Sequence, residues 1–253
     1  MIRYLVPALL IGAVQAMPAS AKSINWIDWK TSTTTAAGFT AFGQITSGTE
    51  VIDVTYNNPK GVGFFQTGVG VDYFTSSTAN SPFTSTGPNG VDNRPPAAEM
   101  IALQYAGPQT LSFSTAVENL YLSYVSLNYN GWRFDQDFTI LSNTGSNIDG
   151  AGTDGAGYWG AGGITRVDNG DGTYSLNSTS IGGTEPHGTI LLPDVFSVLT
   201  WDSLSNEYWN GFTVGIEGTD EQVGPAPVPL PAGAWLVLTG LAGFGIASRR
   251  RKV

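Results

Sequence analysis

The sequence predicts an all-β protein whose strands form a two-sheet antiparallel sandwich of the jelly-roll type. Short runs of alternating apolar and polar residues recur along the chain, and Gly, Pro, Asn and Asp separate them. Glycine accounts for 33 of the 253 residues and charged residues for only 12%, a composition typical of strands and loops. No segment between Lys22 and Val223 has a sustained apolar period of 3.6 residues. About a dozen short strands in one domain favour a sandwich.

The chain is predicted to divide into four segments. Residues 1–21 are expected to be a signal peptide helix, residues 22–217 the β-sandwich domain, residues 218–227 a linker, and residues 228–253 a C-terminal sorting signal. Because both terminal segments are expected to direct the protein to its location, the fold prediction concerns the second segment alone.

The first segment has the three parts of a secretory signal peptide. Arg3 supplies the positive charge, residues 4–14 form the apolar stretch, and Ala19 and Ala21 mark a small-residue cleavage site. The alternative, an uncleaved anchor, needs a longer apolar run than this one, which Met17 and Pro18 interrupt. The sequence therefore predicts export through the secretion translocon.

The predicted strands follow from apolar alternation and from the turn residues between them. The clearest alternation lies at residues 132–141. A long polar loop is predicted at residues 75–96, and a hairpin turn is predicted at residues 168–173. The predicted strands are residues 23–29, 39–45, 51–56, 62–67, 100–105, 110–114, 120–127, 132–141, 164–167, 174–177, 188–192, 195–201 and 212–216.

An uncharged apolar stretch, residues 232–247, lies near the C-terminus. As a helix it would be roughly 24 Å long, close to the roughly 30 Å of a membrane's hydrocarbon core. Pro229 and Pro231 prevent the helix from extending backwards. The basic cluster that follows is expected to stay on the cytoplasmic side of the membrane, and it consists of Arg249, Arg250, Arg251 and Lys252. The pattern predicts a transmembrane helix that is either a plain anchor or a processed sorting signal.

The motif before this helix reads Val228-Pro229-Leu230-Pro231-Ala232-Gly233. Together with the apolar stretch and the basic cluster, it resembles the PEP-CTERM sorting domain of Gram-negative bacteria in its VPLPA variant, although Leu230 stands where the commoner form has Glu. The resemblance implies cleavage near the motif by an exosortase, which is a membrane protease. It also implies a transient stay in the inner membrane through the C-terminal helix, followed by delivery to the cell surface or to the extracellular matrix of a biofilm.

Four landmarks in the body of the chain also resemble, in their order, a group of PEP-CTERM surface proteins whose bodies have no assigned activity. These landmarks are residues 24–29, 91–96, 134–141 and 209–215. That resemblance implies no catalytic residues, so it assigns none to this chain.

The mature protein is predicted to be strongly acidic. The chain has 11 Lys and Arg against 20 Asp and Glu, and removing Arg3 and the basic cluster leaves 6 against 20, a net charge of −14. This acidity argues against nucleic acid as a partner. The absence of cysteine excludes disulfides, thiolate zinc sites and a cysteine nucleophile. No cofactor is expected, although loop residues could hold Ca²⁺, and the candidates are Asp92, Asn93, Asp149 and Asp154.

Two groups of residues could support catalysis, and both have a simpler explanation. His187 is the only histidine and could serve a Ser-His-acid hydrolase with Glu185, but no Gly-x-Ser-x-Gly motif accompanies it. Asp135 and Asp137 would lie about 7 Å apart on one face of a strand, which suits glycoside hydrolysis, but the same acids could simply face water. We therefore expect a protein that is not an enzyme.

Aromatic residues supply the candidate ligand-binding site. Trp132, Tyr158 and Trp159, joined by the neighbouring pair Tyr208 and Trp209, could stack on the faces of sugar rings, or they could pack in the core or at its rim. The leading hypothesis is an exported protein with a structural or adhesive role in the envelope or exopolysaccharide. The alternative is a carbohydrate-binding module, with or without stabilising calcium, and a third hypothesis is a glycan hydrolase.

Overall fold

Strands dominate the structure, a computed structural model that describes residues 23–75, 81–83, 94–148, 150, 152–179 and 184–218. More than half of these residues lie in strands, and none of them lies in a helix. The pairings between the described strands are antiparallel, which confirms the predicted all-β antiparallel class for this part of the chain. The described strands are β1 (Ile24–Trp26), β2 (Asp28–Thr35), β3 (Gly38–Ser47), β4 (Glu50–Asn58), β5 (Phe64–Gln66), β6 (Met100–Leu103), β7 (Gly107–Val125), β8 (Gly131–Phe134), β9 (Thr139–Asn143), β10 (Ile164–Asp168), β11 (Tyr174–Ser178), β12 (Gly188–Ser203) and β13 (Asn210–Glu217).

Two long strands, β7 and β12, organise the sheet. They pair with each other along nearly their whole length, from Gly188 opposite Tyr124 to Ser203 opposite Gly107. On its other side, β7 pairs with β4 through its first half and with β13 through its second half. β12 likewise pairs with β9 near its start and with β8 near its end. Each long strand therefore belongs to two groups of strands. One group contains β4 and β8 with the first half of β7 and the end of β12, and the other contains β9 and β13 with the second half of β7 and the start of β12.

The ladder between β7 and β12 is irregular where these two groups join. Its register shifts between Leu192 and Val195 and again between Phe196 and Val198, and Asn119 of β7 has a φ of 53°. An irregularity of this kind bends a strand and increases its twist. It allows the two halves of one strand to run in different directions.

Aromatic side chains from both groups of strands meet in the core. The ring centroid of Phe212 on β13 lies 5.4 Å from that of Tyr56 on β4, 6.2 Å from Trp132 on β8 and 5.2 Å from Trp201 on β12. All four side chains are buried. Because large aromatic side chains bury more apolar area than any others, this cluster makes a large contribution to stability.

The strand predicted at residues 132–141 is wrong, because the structure has β8 and β9 there with a bend between them. In the bend, the Asp137 carboxylate accepts a hydrogen bond from the backbone N–H of Phe138 at 2.6 Å and pairs with Arg166 at 2.5 Å. A side chain that bonds nearby backbone competes with the sheet ladder. Phe138 is buried within the bend. The alternation of apolar residues therefore continues through the bend, and the sequence pattern does not reveal where the strand is interrupted.

Other strands are longer than predicted. The strands predicted at residues 110–114 and 120–127 are both parts of β7, which ends at Val125, and those at residues 188–192 and 195–201 are both parts of β12. β2 continues to Thr35 through exposed polar residues, which carry no apolar alternation to predict a strand.

The predicted terminal signals lie outside the described residues, at residues 1–22 and 219–253. They contain the signal-peptide cleavage site, the sorting motif and the basic cluster. The compact unit to which the described strands belong ends at Glu217. Within the ranges given above, the structure contains no helix that is long and apolar enough to span a membrane. The two terminal helices stay predictions.

Candidate functional site

A tight turn at residues 157–160 presents two adjacent aromatic side chains, Tyr158 and Trp159. The backbone N–H of Gly157 donates to the carbonyl of Gly160 at 2.8 Å, and the N–H of Gly160 donates back at 3.3 Å. Gly160 has a φ of +93°, which favours glycine. A Cβ on Gly157 would lie 2.5 Å from Cγ of His187, so only glycine lets the turn rest on that ring.

His187 is buried beneath this turn. Its Nδ1 lies 2.6 Å from the carbonyl oxygen of Glu185, and its Nε2 has no hydrogen-bond partner among the described residues. Burial lowers the pKa of His187 to about 4, so the ring is neutral at physiological pH. The neighbouring Ser126 hydroxyl donates to the Glu185 carboxylate and not to the histidine. Among the described residues, His187 therefore packs against the turn at residues 157–160 and has no serine as a hydrogen-bond partner.

Five rings form an aromatic cluster around the turn, namely Phe64, Tyr73, Tyr158, Trp159 and Trp209. Trp159 stacks on Tyr73, with centroids 5.1 Å apart and planes inclined by 24°, and it meets Trp209 edge-on at 5.2 Å. Trp209 in turn meets Phe64 edge-on at 4.9 Å. Most of these rings pack on a small buried core that includes Phe74, Phe83, Met100 and Val125. The indoles are therefore held in fixed orientations at the surface.

A cleft of about 400 Å³ opens beside this cluster, and we call it the aromatic cleft. Half of its lining side chains are aromatic, and two are carboxylates. Tyr129 and Tyr208 are 59% and 86% exposed, which is unusual for such large side chains. The cleft is lined by Ser126, Asn128, Tyr129, Trp159, Glu185, Glu207, Tyr208 and Trp209.

One wall of the aromatic cleft has an unusual backbone. Ser126 and Tyr129 have φ values of 60° and 53°, in the left-handed region that residues other than glycine seldom adopt. Hydrogen bonds hold this conformation: the N–H of Leu127 donates to the carbonyl of Pro186, and the Ser205 hydroxyl donates to the carbonyl of Tyr129 at 2.8 Å. Backbone strain that the surrounding structure maintains in this way is concentrated at functional sites.

The two carboxylates of the aromatic cleft are each held by one polar side chain. Oε2 of Glu185 accepts from the Ser126 hydroxyl at 2.6 Å, and Oε2 of Glu207 accepts from Nδ2 of Asn210 at 3.0 Å. The second oxygen of each carboxylate has no hydrogen bond to a described residue. Burial, and secondarily the charge of Glu185, raise the pKa of Glu207 to about 8.

The structure separates the three predicted ligand-binding residues. Tyr158 and Trp159 belong to the aromatic cluster, but Trp132 is 0% exposed and lies in the core, so its predicted contact with a ligand is corrected. Nε1 of Trp132 donates to Oδ1 of Asn210 at 3.1 Å. The amide of Asn210 also donates to the carboxylate of Glu207, which lines the aromatic cleft. Trp132 therefore contacts no ligand directly but helps to orient Glu207 through Asn210.

The acids considered for glycoside hydrolysis lie elsewhere. Asp137 is paired with Arg166, and Asp135 lines a second groove of about 460 Å³. In that groove Arg133 forms an ion pair with Asp202 at 2.7 Å. The described structure therefore does not bring Asp135 and Asp137 to the aromatic cleft.

Of the residues considered for calcium, only Asp154 is described. Its Oδ2 accepts from the backbone N–H of Asn143 at 2.9 Å, and the residue is buried. Asp92, Asn93 and Asp149 lie outside the described residues. Among the residues that the structure does describe, no group of three or more His, Cys, Asp or Glu side chains could hold a metal ion.

Sequence reasoning missed Ser126, Tyr129 and Glu207 as site residues. A positive φ at Ser126 or Tyr129 leaves no trace in the sequence, because neither residue is a glycine. Glu207 immediately precedes the aromatic pair at 208 and 209, which is a weak signal for a binding loop.

Comparison of the chain with models of known protein families, with curated proteins and with solved structures finds no match. The function must therefore be argued from the residues of the aromatic cleft and from their geometry.

Proposed function

We propose that this protein is an exported, non-enzymatic component of the cell surface or extracellular matrix, and that it adheres to carbohydrate through the aromatic cleft. One observation carries the proposal: four aromatic side chains and two carboxylates converge on a single open cleft. Aromatic faces stack on the C–H groups of sugar rings, and carboxylates accept hydrogen bonds from hydroxyl groups. A cleft of about 400 Å³ accommodates a few sugar residues of a longer chain.

We propose that the two groups of strands are two packed sheets, in a sandwich of the jelly-roll type. The division of β7 and β12 between different partners supports this arrangement, since a bent strand can contribute to both sheets. The contacts of Phe212 with Tyr56, Trp132 and Trp201 support it as well, because they join one group to the other.

The location in this proposal depends on the terminal signals. The signal peptide at residues 1–21 would direct export, and an exosortase would cut near the motif at residues 228–233 and release the protein from the inner membrane. Intact-mass measurement of the protein outside the cell tests this step. A secreted form that still carries Arg249 to Val253 would show that the C-terminal segment is not a processed signal.

Binding is tested by screening the purified full chain on a glycan array and measuring the best ligand by calorimetry. Tyr208→Ala removes an exposed ring that lines the cleft and should lower the affinity roughly tenfold, a loss of about 1.4 kcal/mol. Phe42→Ala is the matched control, since it removes an exposed ring on β3 and should leave affinity unchanged. If no glycan binds, the carbohydrate-binding function is wrong.

A further inference from the structure

We infer that the sugar recognised by the aromatic cleft carries a free primary amine, so that the ligand is a cationic amino-sugar polymer. This inference rests on the proposed function and identifies the chemical class of its ligand. It follows from three properties of the cleft: its charge, the unused oxygens of its carboxylates, and the position of its rings.

The charge of the aromatic cleft is entirely acidic. Glu185 and Glu207 line it, and none of its eight described lining side chains is basic. Both residues are partly buried. Removing a carboxylate from water is costly unless a cation compensates for it. In the empty cleft Glu207 avoids this cost by keeping its proton, since its pKa is raised to about 8. An ammonium group compensates for the charge of Glu185 and of an ionised Glu207, which a neutral sugar does not.

The two carboxylates are also arranged to accept further hydrogen bonds. Ser126 occupies one oxygen of Glu185, and Asn210 occupies one oxygen of Glu207. Among the described residues, none donates to the remaining oxygen of either carboxylate. An ammonium group has three N–H donors and is a charged partner, so it suits a cleft with carboxylate oxygens of this kind.

The rings of the cleft suit the same ligand. Tyr129, Trp159, Tyr208 and Trp209 line it beside the carboxylates. Their faces can stack on the apolar side of a sugar, and they attract a cation that lies within about 6 Å of a ring centroid. An amino sugar presents both features in one residue, an apolar ring face and a positive charge at its edge.

The protonation of Glu207 is consistent with such a ligand. The titratable groups that line the cleft are Glu185, Glu207, Tyr129 and Tyr208. Burial, and then repulsion from Glu185, raise the pKa of Glu207 to about 8 in the empty cleft. An ammonium group between the two acids would favour the ionised form. Binding of an amine that is already protonated should therefore release a proton from Glu207.

Three tetrasaccharides that differ only at C2 test the inference on the full chain. They are the β-1,4-linked tetramers of glucosamine, of N-acetylglucosamine and of glucose, which carry an ammonium, an acetamide and a hydroxyl group at that carbon. We expect calorimetry at pH 5.5, where the amines of the glucosamine tetramer are protonated, to show that this tetramer binds at least tenfold more tightly than either neutral tetramer. Its heat should depend on the ionisation enthalpy of the buffer, which reports proton release.

Variants locate the effect. Glu185→Gln with Glu207→Gln should lower the affinity for the glucosamine tetramer at least tenfold and should remove the preference for that tetramer over the neutral ones. Glu118→Gln is the matched control, because it removes one exposed negative charge of β7 that lies roughly 25 Å along the chain from Ser126. That variant should bind the glucosamine tetramer as tightly as the wild type does. This result would show that the carboxylates of the cleft, and not the overall negative charge of the protein, determine the affinity.

The wild-type comparison decides the inference even if the double variant fails to fold. Equal or tighter binding of a neutral tetramer would overturn the amine requirement while leaving carbohydrate binding in place. Tighter binding of a tetralysine peptide than of the glucosamine tetramer would overturn the assignment to a sugar. If none of the saccharides of this experiment or of the glycan array binds, the proposed function itself fails.

Discussion

The hydroxyl of Ser126 donates a 2.6 Å hydrogen bond to the carboxylate of Glu185, from a backbone held at a φ of 60°. The two residues are 59 positions apart in the sequence. The left-handed conformation places a short polar side chain against an acid that would otherwise have no described donor. The strained backbone of Ser126 thus positions the hydroxyl that binds Glu185, and this hydrogen bond in turn helps to hold Ser126 in its left-handed conformation.

The strain at Ser126 predicts an order of stability between two variants. Ser126→Ala removes the hydrogen bond and keeps a Cβ in the left-handed region, whereas Ser126→Gly removes the bond and relieves the strain. We expect the free energy of unfolding of the Gly variant to exceed that of the Ala variant by about 1 kcal/mol. Urea unfolding of both full-length variants measures it. Equal stability of the two would mean that this backbone conformation carries no strain.

Gly157 predicts a steric effect on the turn. Gly157→Ala places a Cβ 2.5 Å from Cγ and 2.6 Å from Cδ2 of His187, and both ring atoms are buried. Overpacking of this kind should lower the free energy of unfolding by about 2 kcal/mol. Gly63→Ala is the control, since its Cβ would meet its nearest neighbour at 3.5 Å. Thermal unfolding compares the two, and a Gly157→Ala protein as stable as the control would refute the contact.

His187 predicts an unusual titration. Its folded pKa is about 4, against 6.5 for an ordinary histidine, because burial disfavours the charged ring. The unfolded chain therefore takes up the proton first as pH falls, and this residue's contribution to stability decreases between about pH 6.5 and pH 4. Since the chain has one histidine, its imidazole resonances can be followed by NMR without assignment. They should not shift between pH 8 and pH 5.5, and a midpoint near 6.5 would show that the ring is exposed.

From the raised pKa of Glu207 we expect the free energy of unfolding to change in the opposite direction, decreasing as pH rises. Its folded pKa of about 8 lies above the ordinary value of 4.5, so the folded state retains a proton that the unfolded state has lost. The free energy of unfolding should therefore fall as pH rises from about 4.5 to about 8. Glu207→Gln should weaken this dependence and be more stable than the wild type at pH 8.

Glu118→Gln is the control for this experiment, because it changes an exposed carboxylate of β7 and leaves Glu207 in place. It should keep the pH dependence of the wild type. Urea unfolding at pH 5, 6.5 and 8 gives the comparison. Parallel curves for Glu207→Gln and the wild type would contradict the raised pKa.

Much of the fold was predictable from the sequence because alternation is a local property. Phe212 and its neighbours on β13 were predicted as a strand, as was the hairpin partner of β10, and both strands exist. The bend at Asp137 was not predictable, because the contact that Asp137 makes there is with Arg166, 29 residues further along the chain. The sequence also did not reveal that β7 and β12 are each one continuous strand, because these strands pair with each other along nearly their whole length although they lie far apart in the sequence.

The candidate site was predictable only in part. Tyr158, Trp159, Tyr208 and Trp209 were recognised because adjacent aromatic residues in polar surroundings are visible in a sequence. Trp132 begins the clearest predicted strand, and the structure shows it to be a core residue, since burial depends on the partners that pack against a side chain. Glu207 could not be found, because its raised pKa depends on burial and on Glu185, 22 residues earlier in the chain.

The sequence by itself determined the all-β class, the acidic composition without cysteine and the presence of paired aromatic residues, because each of these depends on residue types and their local spacing. Only the tertiary structure decided which rings are exposed, which acids share a cleft and which residues adopt a left-handed backbone. Those properties arise when segments far apart in the sequence pack together. The same packing that buries Trp132 holds Asn210 against Glu207, and it brings the carboxylates of Glu185 and Glu207 into one cleft.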